Sequence, residues 1–148
     1  MKSTGRISGD KLVTELALCV KERLNCAVDE HEESLVNVYK YRKPTGYQGE
    51  YVCVNHLPLT FGKSLNDLNY LNVNIHVPET KSGAIPTPRL EALLERVLKF
   101  LPYSWGEEAD RSLELNGHLY SVESVSQPMD EDDSTWFYNL RVKVIFTN

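Results

Sequence analysis

Leu71-Asn72-Val73-Asn74-Ile75-His76-Val77 is the stretch on which the fold turns. Leu71, Val73, Ile75 and Val77 alternate with Asn72, Asn74 and His76, the two-residue period of a strand with one core face and one polar face. Pro78 ends it. Downstream, Ser82–Thr87 is a short Gly/Pro linker. Thr87-Pro88 reads as a helix start, with the Thr hydroxyl as cap and Pro at the first helical position, where its missing N–H costs nothing. Leu90, Leu93, Leu94, Val97, Leu98 and Leu101 then share one stripe, while Arg89, Glu91, Glu95, Arg96 and Lys99 face out, and Pro102 terminates the helix. A striped helix next to a half-apolar strand needs that strand's apolar face to cover.

The same patterns continue in both directions. From Asp10, the positions Leu12, Val13, Leu16, Cys19, Val20, Leu24 and Ala27 recur at helical steps, with Ser8 or Asp10 as cap. Met1–Gly9 is polar and reads as a flexible N-terminus (1–9) ahead of a single domain (10–148). Leu35–Arg42 is rich in Val and Tyr and reads as a strand. Pro44, Gly46 and Gly49 in Lys43–Gly49 supply turn chemistry for a reversal into Glu50–Leu57, predicting a hairpin with a long tip. Toward the C-terminus, Leu113–Leu115, Asn116-Gly117 and His118–Val125 predict a tight hairpin whose two turn residues tolerate positive φ. An acidic turn, Asp130–Asp133, leads to a last strand in which Trp136, Tyr138, Leu140, Val142, Val144 and Phe146 alternate with Phe137, Asn139, Arg141 and Lys143. The expectation is an α+β two-layer sandwich, two helices packed on a mostly antiparallel β-sheet, in the order α-β-β-β-α-β-β-β. The second sheet face, with Asn72, Asn74, His76, Arg141 and Lys143, is too polar for another core and is left for solvent or an interface.

Composition supports one self-sufficient core. The chain has 148 residues, 41% apolar and 25% charged, with a formal charge of −5. A domain of this size buries roughly 68–70% of its unfolded surface and folds without disulfide or metal staples. Its apolar runs are too short to span a membrane and its N-terminus lacks a secretory pattern, so a soluble cytoplasmic product is expected. Cys19, Cys26 and Cys53 form no Cys-x-x-Cys. Cys19 and Cys26 would lie about 10 Å apart on a helix, beyond disulfide reach. Charge is uneven: between Gly106 and Thr135 there are nine acids and a single base, Arg111. That is the opposite of the basic stripe with which proteins grip nucleic-acid phosphates.

Local motifs for catalysis do not assemble. His31, His56, His76 and His118 show no ligand spacing, and none neighbours a Cys at zinc-site distance, so neither metal nor cofactor is expected. Asp130-Glu131-Asp132-Asp133 lacks the Gly and the distal Glu of a calcium loop. No nucleophile elbow or phosphate-cradling Gly loop occurs, and the cysteines fall on core or strand positions, so no catalytic residue is assigned. Tyr39, Tyr41, Tyr47 and Tyr51, interleaved with Lys40, Arg42 and Lys43, suit cross-strand pairing or a protein contact. A stacking platform for single-stranded nucleic acid is the third use open to them.

The layout itself carries a resemblance. It comprises the N-terminal amphipathic helix, strand Leu35–Arg42, the long loop through Pro44-Thr45-Gly46, strand Tyr51–Leu57, the alternating Leu71–Val77, helix Arg89–Leu101 and the closing strands around the acidic turn. Together, from Asp10 to Phe146, these resemble the tail terminator or tail-completion proteins of tailed bacteriophages, in arrangement and hydrophobic pattern and without a signature motif. The resemblance implies a non-enzymatic phage or prophage virion protein, assembled in the bacterial host cytoplasm. Such a protein forms a ring, typically a hexamer, that ends the tail tube and joins it to the head. Its partners would be other copies of itself, tail-tube and head-connector proteins, with monomers in isolation and DNA passing without specific binding; no membrane is involved. In that setting Asp130, Glu131, Asp132 and Asp133 would face the channel and repel DNA phosphates. Lys43, Thr45, Tyr47 and Gln48, with Asn72, Asn74 and His76, would meet a neighbouring subunit or partner. A protein-binding adaptor or inhibitor domain without catalysis is the alternative, and an enzyme or single-strand binder using His56, His76 and the tyrosines is the third.

Overall fold

Ser8 caps α1, Gly9–Asn25: its hydroxyl accepts from the Lys11 amide at 3.1 Å. The computed structural model describes residues 8–26, 35–58, 68–106, 111–131 and 134–146, so of the predicted loose N-terminus, 1–7 lie outside the described residues while Ser8 caps the helix and Gly9 opens it. The strands are β1 (Asn37–Lys40), β2 (Tyr51–His56), β3 (Leu68–Pro78), β4 (Leu113–Leu115), β5 (His118–Val125), β6 (Met129–Asp130) and β7 (Thr135–Phe146), with α2 (Thr87–Leu98) between β3 and β4. They form one curled sheet ordered β1-β2-β3-β7-β5-β4, with the two-residue β6 pairing against β7. The fold is the expected α+β arrangement, two helices on a sheet whose pairings are antiparallel except β1 with β2.

Register explains the core. Leu71, Val73 and Ile75 of β3 stand opposite Val142, Leu140 and Tyr138 of β7, and Val73 and Ile75 stand opposite Val54 and Val52 of β2. All of these are buried on the side where α1 and α2 lie. From α1, Leu12, Val13, Leu16, Val20 and Leu24 enter this core; from α2, Leu90, Leu93 and Val97 do. Burying one such side chain stabilises by about 1.5–3 kcal/mol. Asn25 fastens the end of α1 to the approach to β1: its amide donates to the Val36 carbonyl at 3.0 Å and accepts from the Val36 amide at 2.8 Å, standing in for a strand neighbour. At the β4–β5 turn Asn116 and Gly117 both adopt positive φ, 52° and 86°, as the sequence predicts.

Three details depart from expectation. The first two strands are not a hairpin: Asn37–Lys40 runs parallel to Tyr51–Val54, because the segment between them doubles back before β2 begins. The return starts at Tyr41, at φ 67°, followed by a tight Arg42 N–H to Lys40 carbonyl contact of 2.7 Å. The second helix starts at Thr87 itself, with Pro86 in the cap position and no side-chain cap bond, so the Thr hydroxyl does not cap. That helix ends at Leu98, short of Leu101, which stays buried because Val97 accepts from both the Phe100 and Leu101 amides.

Candidate functional site

The helix-free face of the sheet is built in rows. Because Tyr51 pairs with His76 and His76 with Phe137, their rings fall in line across β2, β3 and β7. His76 is stacked between Tyr51 (centroids 4.3 Å apart) and Phe137 (4.7 Å), and its Nδ1 lies 3.1 Å from the Thr135 hydroxyl. One row on, Cys53, Asn74 and Asn139 align; the next row holds Asn55, Asn72 and Arg141. The amides pair with one another: Asn139 Nδ2 donates to Asn74 (2.7 Å) and Asn72 (3.1 Å), Asn72 Nδ2 donates to Asn55 (2.8 Å), and Arg141 Nε donates to Asn72 (3.2 Å). Such a network fixes each side chain through its neighbours.

The returning segment between β1 and β2 packs on this face. Tyr47 meets the Tyr39 and Tyr51 rings at 5.7 and 6.1 Å, accepts from Asn37 at 2.9 Å and donates to the Glu50 carbonyl at 2.9 Å. Gly49 makes room for it, since a Cβ there would stand 2.5 Å from the Tyr47 hydroxyl oxygen. Lys43 Nζ donates to the Tyr47 carbonyl and sits 5.7 Å from the Tyr51 ring centroid. Where the segment re-enters the sheet, Glu50 receives a forked pair of bonds from Arg89 of α2, 2.7 and 3.0 Å. Between the segment and the sheet lies a cleft of about 530 Å³.

Of the residues singled out from sequence, Lys43, Thr45, Asn74 and His76 line this cleft, and Glu131 of the acidic turn lines it as well. Tyr47 packs on its Tyr51 wall, Asn72 belongs to the adjoining amide network, and Gln48 is exposed beside it. Asp130 is exposed on β6; Asp132 and Asp133 lie outside the described residues. His76 is only 4% exposed, so a partner reaches the rim of the ring stack and not the imidazole face. His56 lies on the opposite face, against Gly9 of α1, and does not meet His76. Cys53, at the cleft floor, is buried, and burial pushes its thiol up to about 11, which keeps it protonated and a poor nucleophile at neutral pH. Among the described residues no three His, Cys, Asp or Glu side chains gather as metal ligands, and no described helix is long and apolar enough to cross a membrane.

Two groupings were not read from sequence. Glu15, on the flank of the α1 stripe, accepts from Tyr120, from Asn116 and from His118 Nδ1 (2.9 Å), binding the β4–β5 hairpin to the helix. Burial pushes its carboxyl up, but these hydrogen bonds together outweigh that and hold it below the ordinary range. The alternation of His118 and Tyr120 was legible as strand, but nothing local pointed it toward Glu15. Second, the segment after α2 lies along β5: Ser104 donates to the Val122 carbonyl (2.9 Å) and the Val122 amide donates to Pro102 (2.7 Å). It carries Trp105, 55% exposed and stacked 4.5 Å from Tyr103.

No family model matches the chain, and no curated protein does. Among solved structures, one protein, known only by a serial designation, aligns over 97% of this chain and 98% of its own with a TM-score of 0.59 and 13% identity. At that identity the likeness is one of fold: the two-layer arrangement of helices on a curled sheet recurs, nearly end to end, in a second protein.

Proposed function

We propose that this chain is a structural subunit that works by contact with other proteins, and that it acts as a tail terminator or tail-completion protein, forming a ring at the tail end for head-tail joining. The observation that carries the contact role is the helix-free sheet face. Its amides are already paired among themselves in rows beside the Tyr51–His76–Phe137 stack, in which Tyr51 and His76 are buried, and this gives a preorganised polar surface that a protein partner can meet without reordering it. The tail assignment is supported by the arrangement of helices and strands along the chain. Its partners are then other copies of itself and the tail-tube and head-connector proteins, with the acidic turn beside the path of DNA.

Size-exclusion chromatography with light scattering, on the chain alone and with tail-tube protein, tests this directly. A ring on the tube is the expected result, with tails of abnormal length when the gene is deleted. If no ring forms and tails stay normal, the reading is wrong. A one-to-one complex with a partner and no ring would fit the adaptor or inhibitor alternative instead.

A further inference from the structure

On the helix side of the sheet, the ends of α1 and α2 and the start of β4 frame a second cleft, of about 730 Å³, within the size range of ligand sites. Leu98, Phe100 and Leu113 give it an apolar lining, and Arg23, Lys99 and Arg111 stand exposed around it. None of these three cations makes an ion pair or a side-chain hydrogen bond among the described residues. Arg23 and Lys99 suit the negative ends of α1 and α2, but Arg111 lies on no helix, so the helix dipoles do not account for the whole cluster. Two acids share the rim: Glu114, which is engaged by the Gly117 amide at 3.0 Å, and Glu95. The same cleft borders an open sheet edge, since β4 is the last strand in the order and no described strand pairs beyond it. The two-residue turn Asn116-Gly117 makes Leu115 and His118 a pair that exchanges both backbone bonds. The N–H and C=O of Glu114, one residue back, therefore point out of the sheet at that edge.

We propose that this cleft and edge bind an extended acidic segment of a partner protein, which adds as a strand to β4, sets its carboxylates against Lys99, Arg111 and Arg23, and places apolar side chains on Leu98 and Phe100. Each half of the site asks for part of that chemistry. An open strand edge takes a main chain, which a small anion does not offer, and guanidinium and ammonium groups without partners take carboxylates. Every second side chain of an added strand faces the cleft, so acidic and apolar residues in turn on one strand face match its rim and its lining. The cleft lies apart from the helix-free face, so the inference goes beyond the ring reading and is tested separately from it.

The test uses the full chain and a fluorescently labelled, capped peptide with Leu and Asp in turn at every second position and Thr between them. Anisotropy should show saturable binding at micromolar concentration. Lys99→Gln and Arg111→Gln, both at exposed positions, should fold as the wild type by circular dichroism and weaken binding by roughly fivefold each, while Glu95→Gln, which removes an opposing charge, should tighten it. Methylating every second backbone nitrogen of the peptide should abolish binding in one phase and spare it in the other, because only one edge of the peptide meets β4. A peptide with Lys in place of Asp that binds equally well, or charge variants that bind like the wild type, would take the cations out of the contact and overturn the proposal. Binding that survives methylation in both phases overturns strand addition, and displacement by millimolar inorganic phosphate then makes the cleft a small-anion site instead. A wild type that binds no peptide sinks the docking site alone, since ring formation and tail length are read without the peptide.

Discussion

Glu15 shows how much one side chain outside the apolar stripe can hold. Its side chain is 15% exposed, and three donors from the β4–β5 hairpin converge on its two oxygens. Glu15→Gln removes the charge that strengthens those bonds and turns an amide toward donors; it should cost about 2 kcal/mol at neutral pH, the range for hydrogen bonds to a charged group. The pH dependence has a definite sign. A carboxyl whose folded-state pKa is lowered contributes its full stabilisation above the unfolded value, here near 4.5, and loses it as the pH falls through the folded value. Urea denaturation of the two proteins should therefore differ most above pH 4.5 and converge as the solution is acidified. A gap that stays constant with pH would mean that Glu15 acts by packing and not as an ionised acceptor.

Elements differ in how much a neighbour has to tell them. Leu93 of α2 is fully buried against the sheet, whereas Leu18 of α1 is 56% exposed, although both are leucines on amphipathic helices. Leu93→Ala should cost about 3 kcal/mol through transfer and cavity terms, and Leu18→Ala within about 0.5 kcal/mol of nothing; thermal or chemical denaturation reads the contrast. That contrast was legible in the sequence, because Leu93 lies on the stripe with Leu90 and Val97 while Leu18 lies off the one formed by Leu12, Leu16 and Val20. β3, β7 and the Asn116-Gly117 turn were legible for the same reason, a period or a turn chemistry inside the element, whereas the cap of α1 was left between Ser8 and Asp10 until the structure gave Ser8. The parallel β1–β2 pair was not, since Pro and Gly in the connection permit a reversal or a return equally. What accompanies the return is remote packing: Tyr47 between Tyr39 and Tyr51, clearance at Gly49, and Arg89 holding Glu50. The candidate site divides likewise. Asn72, Asn74 and His76 were known to share a face from their spacing, but that Lys43, Thr45 and Glu131 join them at one cleft depends on that return and on β6. Trp105 sits in a stretch with no period at all, so only the pairing of residues 102–104 with β5 gave it a place.

On the scale of the whole molecule, the chain's formal charge of −5 conceals a separation. The acids concentrate between Gly106 and Thr135, so the remainder of the chain is net basic, and in the proposed ring the acidic part of one copy against the basic part of the next would attract even while copies repel overall. Screening then discriminates between the forces. Raising salt from about 0.1 M to about 1 M shortens the Debye length from about 10 Å to about 3 Å. If attraction between the acidic and basic parts steers assembly, sedimentation equilibrium should report self-association weakened by roughly tenfold or more over that range. Association that strengthens with salt would instead mean that the overall repulsion between copies of charge −5, and not attraction between their acidic and basic parts, is the force that salt screens, leaving hydrophobic contact to hold the ring.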